Sequence, residues 1–475
     1  MKYIESRTKI IATLGPASTP IDVLRQMFIA GLDVCRLNFS HGKYEDHKKC
    51  IDTIRLLNTE LNMNVAILVD LQGPKLRVGE MENNGVELIS GKELIFSNQK
   101  CIGTAERVYM SYPEFPRDVK PGEFVLVDDG KIKLEVLSTN GTDEVRAKVI
   151  YGGILSSKKG VNLPNTKISQ PSMTEKDKQD AEFALQNDAD WIALSFVREA
   201  ADILELKQLI KQHHKHAGVV SKIEKPEAIS DIDQIIDLSD GVMIARGDMG
   251  VELDFYMVPL LQKEIIKKCH AAAKPVIVAT QMMESMITNF RPTRAEASDV
   301  ANAVLEGTDM VMLSGETSVG KFPVGVIETM HQILQWTEEK QYHYHIGNPP
   351  TELDRTFMED NICYNAVKAA QYSEAKAIIT FTHNGYSAYK IAGYRPKAKI
   401  WVFTDNKQLI SKLSLVWGVK AIYFEFKQTI DEAISTSIST LKSLGELTDG
   451  NMVIHAGSMP LDQHGRTNMM KISYV

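Results

Sequence analysis

Eight short apolar runs, each closing on polar or charged residues and separated by helix-length stretches, restrict this chain more than any other feature. They fall at 8–16, 33–42, 65–70, 191–197, 219–224, 241–246, 275–281 and 310–315. Strands of 4–8 residues alternating with helices are the signature of a parallel sheet, and eight such units close a (β/α)₈ barrel. In that fold the chemistry sits at the C-terminal strand ends. Here those ends carry Asn38 and Ser40, Asp70, Ser195 and Arg198, Lys222 and Glu224, Arg246 and Asp248, Thr280 and Gln281, and Ser314 and Glu316. Chance would not put chemistry-capable groups at nearly every strand end.

The rhythm is interrupted once. From about Lys75 to Gln170 the runs are short and alternating, with hairpin signals at Asp129-Gly130 and Asn140-Gly141 and no helical pattern. The expected organisation is a catalytic barrel at 1–73 and 171–345, an inserted all-β barrel as a lid at 74–170, and a C-terminal α/β domain at 346–475. Helices are expected at 21–30, 47–61, 174–187, 226–239, 353–373 and 387–394, the third opened by a Thr174–Asp177 capping-box pattern. A chain of 475 residues accommodates three domains. The formal charge of −7 argues against a general nucleic-acid binder, and no apolar run is long enough for a membrane span. The charged start lacks a signal-peptide core, and the five cysteines show no CxxC spacing. Reduced thiols in a cytoplasmic protein, without zinc, are expected.

The stretch 221–225 and the segment 245–248 end neighbouring strands of this pattern. Side chains at i and i+2 of a strand share a face, so Lys222 and Glu224 point together. Parallel neighbours lie ~4.8 Å apart, so Glu224 and Asp248 can share one ion with ~2.1 Å metal–oxygen bonds, the size of Mg²⁺. A lysine beside a divalent cation suits phosphoryl transfer, in which the moving group is negatively charged. The plainer alternative is a solvated Lys–Glu pair, and the other strand ends weigh against it.

Six segments in matching order and spacing carry a family resemblance over essentially the whole chain: 8–18 (TKIIATLGPAS), 36–42 (RLNFSHG), 222–224 (KIE), 245–250 (ARGDMG), 280–286 (TQMMESM) and 312–317 (MLSGET). Together with the insertion after the third strand, they resemble pyruvate kinase. The resemblance implies phosphoryl transfer from phosphoenolpyruvate to ADP, giving pyruvate and ATP in the last step of glycolysis, by a homotetramer. It implies that Glu224 and Asp248 hold Mg²⁺ (or Mn²⁺) and that Lys222 stabilises the phosphoryl group. Arg36 and Arg77 would bind phosphate oxygens, and Ala245, Arg246 and Gly247 would line the substrate site through their backbone. Thr280 would contact the substrate carboxylate or help protonate the enolate, with Ser314 and Glu316 on the proton-relay side.

One departure concerns monovalent cations. Many family members bind K⁺ with residues matching Asn38, Ser40 and Asp70, and carry a glutamate where this chain has Lys75. With Leu71 and Gln72 also matching the lysine-bearing branch, the Lys75 ammonium is expected to replace K⁺. In the C-terminal domain, the loop with Thr382, Asn384 and Ser387 matches a site for an activating sugar phosphate, but Asn384 and Tyr386 depart from it. A phosphate-bearing effector, sugar phosphate or nucleotide, and a plain helix cap are both open there. The GxxxxGK match at 315–321 is followed by Phe322, which lacks the Mg²⁺-binding hydroxyl of a P-loop. The tract 213–216 (HHKH) is read as a solvated helix end, and Met282, Met283 and Met286 as packing. Two other readings compete. Another Mg²⁺-dependent barrel enzyme of phosphoenolpyruvate or pyruvate, an aldolase or mutase, would need neither Lys222 nor the lid. A non-catalytic regulatory homologue would not keep Arg36, Lys222, Glu224, Asp248 and Thr280.

Overall fold

The structure, a computed structural model, describes residues 6–340, 344–351, 356–426, 429–461 and 465–475. Strands β1 (Lys9–Thr13), β2 (Val34–Asn38), β3 (Ala66–Asp70), β4 (Trp191–Leu194), β5 (Gly218–Ile223), β6 (Gly241–Ala245), β7 (Val276–Ala279) and β8 (Met310–Leu313) form a closed parallel barrel. Its order runs β1-β8-β7-β6-β5-β4-β3-β2. The runs are apolar throughout because both faces are covered. Outward side chains such as Ile10, Ile67, Val219 and Val278 pack with the surrounding helices. Inward ones, including Leu68, Trp191, Val220, Met243 and Met310, fill the lumen. The register sets Thr13 beside Arg36, and Asp70 beside both Asn38 and Ala193. One mouth of the barrel therefore gathers the strand-end polar groups.

The helix expected at 226–239 is two helices, Pro226–Ser230 and Ile232–Leu238. They break at Asp231, whose Oδ2 accepts the Ala200 N–H at 2.8 Å. Apolar periodicity carries across such a break because Ile232, Ile235 and Ile236 still face the core. The capping box at Thr174 and Asp177 forms as expected. Met282, Met283 and Met286 are fully buried packing residues, and all five cysteines are free.

The lid has its own apolar core, built around Leu94, Phe96, Val125, Leu134 and Val145. It contains one short helix, Phe115–Asp118, where none was expected; Pro116 in its first turn starts it without needing an N–H partner. Two linkers anchor the lid to the mouth. Gly73 turns at φ +68, and a side chain there would strike Phe196 and Ser195. Arg198 donates to the Ile168 and Gln170 carbonyls at 2.5 and 2.8 Å.

The C-terminal domain carries β9 (Ala377–Phe381), β10 (Lys399–Thr404), β11 (Val419–Tyr423), β12 (Met452–Gly457) and β13 (Met469–Tyr474) in the order β11-β10-β9-β12-β13, the last pair antiparallel. Its first helix is Phe357–Tyr372; the expected start at 353–355 lies outside the described residues. This domain plugs the barrel at the end opposite the mouth. Leu415 joins the lumen cluster, and buried Arg395 pairs with Asp309 at 3.0 Å and donates to the Gly307 carbonyl at 2.7 Å. No helix among the described residues is long and apolar enough to cross a membrane.

Candidate active site

The mouth is organised by a chain of charges running across neighbouring strands. Arg36 on β2 donates through Nε to Asp70 Oδ2 at 2.7 Å and through Nη1 to Thr13 Oγ1 at 2.8 Å. Asp70, at the end of β3, faces Lys222 on β5, whose Nζ lies 3.2 Å from Asp70 Oδ1. The same Nζ donates to Ser195 Oγ at 2.7 Å and stands 3.1 Å from Glu224 Oε1. Ser195 in turn donates to the Leu71 carbonyl at 2.7 Å. Ser195 was noted only as a strand-end polar group; that it shares Lys222 with Asp70 depends on barrel closure, which no local pattern reveals.

Burial tunes these groups. It works against the Lys222 ammonium, but Asp70 and Glu224 outweigh it and raise the pKa above the lysine range. Burial likewise disfavours the Asp70 carboxylate, yet Lys222 and Arg36 hold its pKa below the usual value. For Glu224 burial wins: with Lys222 opposing and Asp248 adding, its pKa is lifted to about 7. Glu224 is fully buried. Its Oε2 accepts the Phe196 N–H at 2.8 Å, whereas the one group against its Oε1 is the Lys222 ammonium at 3.1 Å. A buried carboxylate that stays costly to ionise even beside that ammonium suits a cation ligand. Asp248, in the first turn of Arg246–Glu252, is only partly buried and opens on the cleft between barrel and lid. Among the described residues no group of three or more His, Cys, Asp or Glu gathers. Two carboxylates suit Mg²⁺, which commonly takes its remaining ligands from water and substrate phosphates.

On the other side of the mouth the sequence-expected residues serve different ends. Thr280 and Gln281 follow β7 rather than extending it, at φ +71 and +55. Thr280 Oγ1 accepts the Gly247 N–H at 2.7 Å and donates to the Ala279 carbonyl at 2.6 Å. The Arg246 side chain grips Asp299 with two bonds of 2.7 Å and donates to the Thr280 carbonyl at 2.8 Å. Glu316 is buried, and its carboxylate accepts the backbone N–H groups of Ser314 and Met283 at 2.7 and 3.2 Å.

Asn38 Oδ1 accepts the Ser40 N–H at 3.1 Å, which places both beside Asp70 and Leu71. Lys75 is exposed; its backbone N–H donates to the Gly73 carbonyl at 2.8 Å, and its ammonium makes no hydrogen bond or ion pair among the described residues, so the cations touching Asp70 are Arg36 and Lys222. Arg77 donates to the Lys158 carbonyl at 2.9 Å at the lid base. Burial first, then Lys75, Arg77 and Arg36, push the His41 pKa down, so the three cations converge on one rim. That rim adjoins a cavity of about 740 Å³ walled by Thr13, Pro16, Asn38, His41 and His47. Residues 315–318 form a helical turn in which Thr317 donates to the Thr13 carbonyl at 2.9 Å; this is barrel scaffolding rather than a phosphate loop.

In the C-terminal loop, Thr382 Oγ1 and Asn384 Oδ1 each accept a nearby backbone N–H at 3.0 Å. Ser387 faces inward, fully buried, and bonds Thr380 at 2.7 Å. The loop and Arg466 border a cavity of about 190 Å³.

Comparison with known proteins agrees with this geometry. Residues 5–327 match the family model described as pyruvate kinase, barrel domain, and residues 360–473 the one described as pyruvate kinase, alpha/beta domain. A pyruvate kinase of Geobacillus stearothermophilus is 42% identical over 474 residues, covering 99% of this chain and 81% of the relative. One from Bacillus licheniformis is 42% identical over 472 residues, covering 99% and 80%. A crystal structure of a pyruvate kinase from Cryptosporidium parvum superposes with a TM-score of 0.92 at 34% identity, covering 99% of this chain and 96% of that one.

Proposed function

The chain belongs to the pyruvate kinase family and is a phosphotransferase that moves the phosphoryl group of phosphoenolpyruvate to ADP, and on that premise we propose a division of labour at the barrel mouth. The observation that carries it is the Lys222 ammonium, locked by Asp70, Ser195 and Glu224 at the closed end of the cleft. It presents a fixed positive charge where the phosphoryl group crosses, with no reorganisation needed during the step. Arg36 binds the phosphate from the β2 side, its planar fork held by Asp70 and Thr13, and Arg77 meets it from the lid base. Glu224 and Asp248 would hold Mg²⁺ or Mn²⁺, which supplies charge neutralisation on the phosphoenolpyruvate oxygens. The backbone at Ala245, Arg246 and Gly247 lines the carboxylate end, where Thr280 Oγ1 fixes Gly247. ADP occupies the cavity beside Arg36, Pro16 and His41.

When the phosphoryl group leaves, the enolate must gain a proton at carbon. Thr280 holds the substrate end of that step. Ser314 lies on the relay side, with Glu316 acting through its grip on the Ser314 N–H. Lys75, converging with Arg36 and Arg77 on the rim, supplies the positive charge that K⁺ would bring to Asn38, Ser40, Asp70 and Leu71. Thr382 and Asn384 cap their helix and, with Arg466, form the pocket of a sugar-phosphate or nucleotide effector. The enzyme works in the cytoplasm as a homotetramer, a reading that exposed Phe255, Tyr256, Leu260 and Phe290 support.

ADP-dependent pyruvate formation from phosphoenolpyruvate, followed in K⁺-free buffer, tests the assignment. Turnover is expected with Mg²⁺ alone. Absence of ADP-dependent pyruvate would refute the division of labour, and strict K⁺ dependence would refute the role of Lys75.

A further inference from the structure

A cavity of about 530 Å³ lies at the plugged end of the barrel, between barrel and C-terminal domain and remote from the mouth. Its barrel wall includes Trp191, His216, Asp240 and Lys274, and its other wall includes Tyr386, Tyr389, Leu409 and Lys412. It continues into an open basin of about 560 Å³ through shared His216, Asp240 and Lys412, where Lys207, Lys211, His214 and Lys215 add to the lining. The chain as a whole carries −7, yet this groove is strongly basic.

We propose that this interdomain cleft is a binding site for a small phosphate-bearing metabolite with a planar ring, the ring lying among Trp191, Tyr386, Tyr389 and Leu409 and the phosphate meeting Lys412, His216 and Lys211.

Three observations support it independently. Firstly, the acid in the wall is already satisfied: Asp240 accepts from Lys207 Nζ and the Val219 N–H, each at 2.9 Å. The side chains of Lys211, His214, His216 and Lys412 make no hydrogen bond or ion pair within 4 Å among the described residues, although Asp240 and Asp190 act on Lys412 from farther off. Helix Ala200–Gln212 ends here, and its dipole explains cations at 211–216. It does not explain Lys412, which comes from another element; Lys274 donates to the Asp237 and Ser239 carbonyls at 3.0 and 2.6 Å, at the end of helix Ile232–Leu238. Secondly, Trp191 is 1% exposed, lines the cavity, and its Nε1–H has no acceptor. Buried indole donors ordinarily find one. Thirdly, burial pushes the pKa of both Lys412 and Lys274 down, an expense that an incoming anion relieves.

The site is not the loop pocket around Arg466, although the two share a partition. His383, Asn384 and Tyr386 wall both cavities. A ligand on either side therefore orders the same loop, and occupancy of the cleft also braces the domain contact beside it.

Phenyl phosphate, a ring and a phosphate in the smallest form, tests the proposal by calorimetric titration of the full-length protein. Saturable binding is expected for the wild type. Lys412→Met and the double variant Lys211→Gln/His216→Gln are each expected to weaken it at least about tenfold, the worth of one charge-assisted bond, while Arg466→Met and Arg36→Gln leave that binding event within about twofold. All five positions are at least partly exposed, and unchanged turnover of the three groove residues' variants confirms folding. Absence of saturable binding at millimolar phenyl phosphate overturns the proposal. So does binding that Arg466→Met or Arg36→Gln abolishes and Lys412→Met does not touch, since the ligand would then sit in the loop pocket or at the mouth.

Discussion

Arg246→Lys is the substitution whose effect the structure fixes most sharply, because the charge survives and only the geometry is lost. Thr280 and Gln281 sit consecutively in the left-handed region at φ +71 and +55. Each costs about 1–2 kcal/mol for a side chain with a Cβ, so roughly 2–4 kcal/mol is stored in this turn. Arg246 holds it there, with two 2.7 Å bonds to Asp299 and a 2.8 Å bond to the Thr280 carbonyl. Bonds of this charged type contribute about 1.5–3 kcal/mol each, the Asp299 pair somewhat less because that carboxylate is partly exposed. A lysine has one nitrogen and cannot span both partners. The turn then relaxes, and Thr280 Oγ1 loses its place on the Gly247 N–H. A displacement of about 1 Å in a positioning group costs about 10²-fold in turnover. The assay is pyruvate formation coupled to lactate dehydrogenase, with kcat and KM for phosphoenolpyruvate determined separately. Adding Gln281→Gly to the lysine variant should recover part of the stability, since glycine enters the left-handed region freely. An Arg246→Lys enzyme with turnover within about threefold of wild type would refute the argument, because the strained turn would then hold without its clamp.

Lys222→Met removes a full charge from the path of the phosphoryl group, and turnover in the same assay should fall about 10³–10⁵-fold, the range seen for a cation that stabilises this transfer; near wild-type turnover would sink the assignment. Glu224→Gln should raise the Mg²⁺ concentration for half-activation by at least about 10–100-fold, the loss typical of even indirect ligand support; an unchanged activation curve would place the ion elsewhere. His270 gives a pH signature at the barrel–C-terminal interface, where its Nε2 lies 2.6 Å from the Gly307 carbonyl. Burial, with Arg395 adding, pushes its pKa down to about 4 from an ordinary 6.5. The unfolded chain therefore takes up a proton before the folded one does. The associated stability is intact above pH 6.5 and declines as pH falls toward 4, by up to about 1.4 kcal/mol per pH unit. Urea midpoints at pH 7.5 and 5 should differ less in His270→Gln than in wild type; equal differences would show that the imidazole takes up its proton equally in the folded and unfolded chains.

The fold was legible because both faces of each barrel strand are covered, so its residues read as an unbroken apolar run ending where the cover ends. The same logic placed Lys222 and Glu224 together, and the 3.1 Å contact between them follows from their i, i+2 spacing. Lateral partnerships were not legible. Asp70 meets Lys222 and Ser195 meets both only once the barrel has closed, and Arg246 finds Asp299 from a distant helix. Side-chain direction was also hidden. Ser387 sits in a polar loop by sequence, yet its hydroxyl serves Thr380 inside the domain. Glu316 looks like a relay acid, yet its oxygens are spent on backbone N–H groups. In both cases a buried backbone or hydroxyl needed a partner, and meeting that need decided the rotamer.

Taken in strand order, the mouth alternates in sign from β2 to β5: Arg36, Asp70, Lys222, Glu224. Each inner member touches the opposite charge on both sides, so Asp70 and Lys222 stay ionised though buried. The alternation stops at Glu224. The next charged group is Asp248, another carboxylate, which adds to the cost of ionising Glu224. The series therefore ends on two carboxylates, Glu224 and Asp248. Lys75 lines the same cleft as Asp248, but no ion pair joins the two among the described residues. A protein cation at that point would complete the series permanently and block the cleft. On the proposed assignment a dissociable divalent ion, held by Glu224 and Asp248, supplies the opposite charge there.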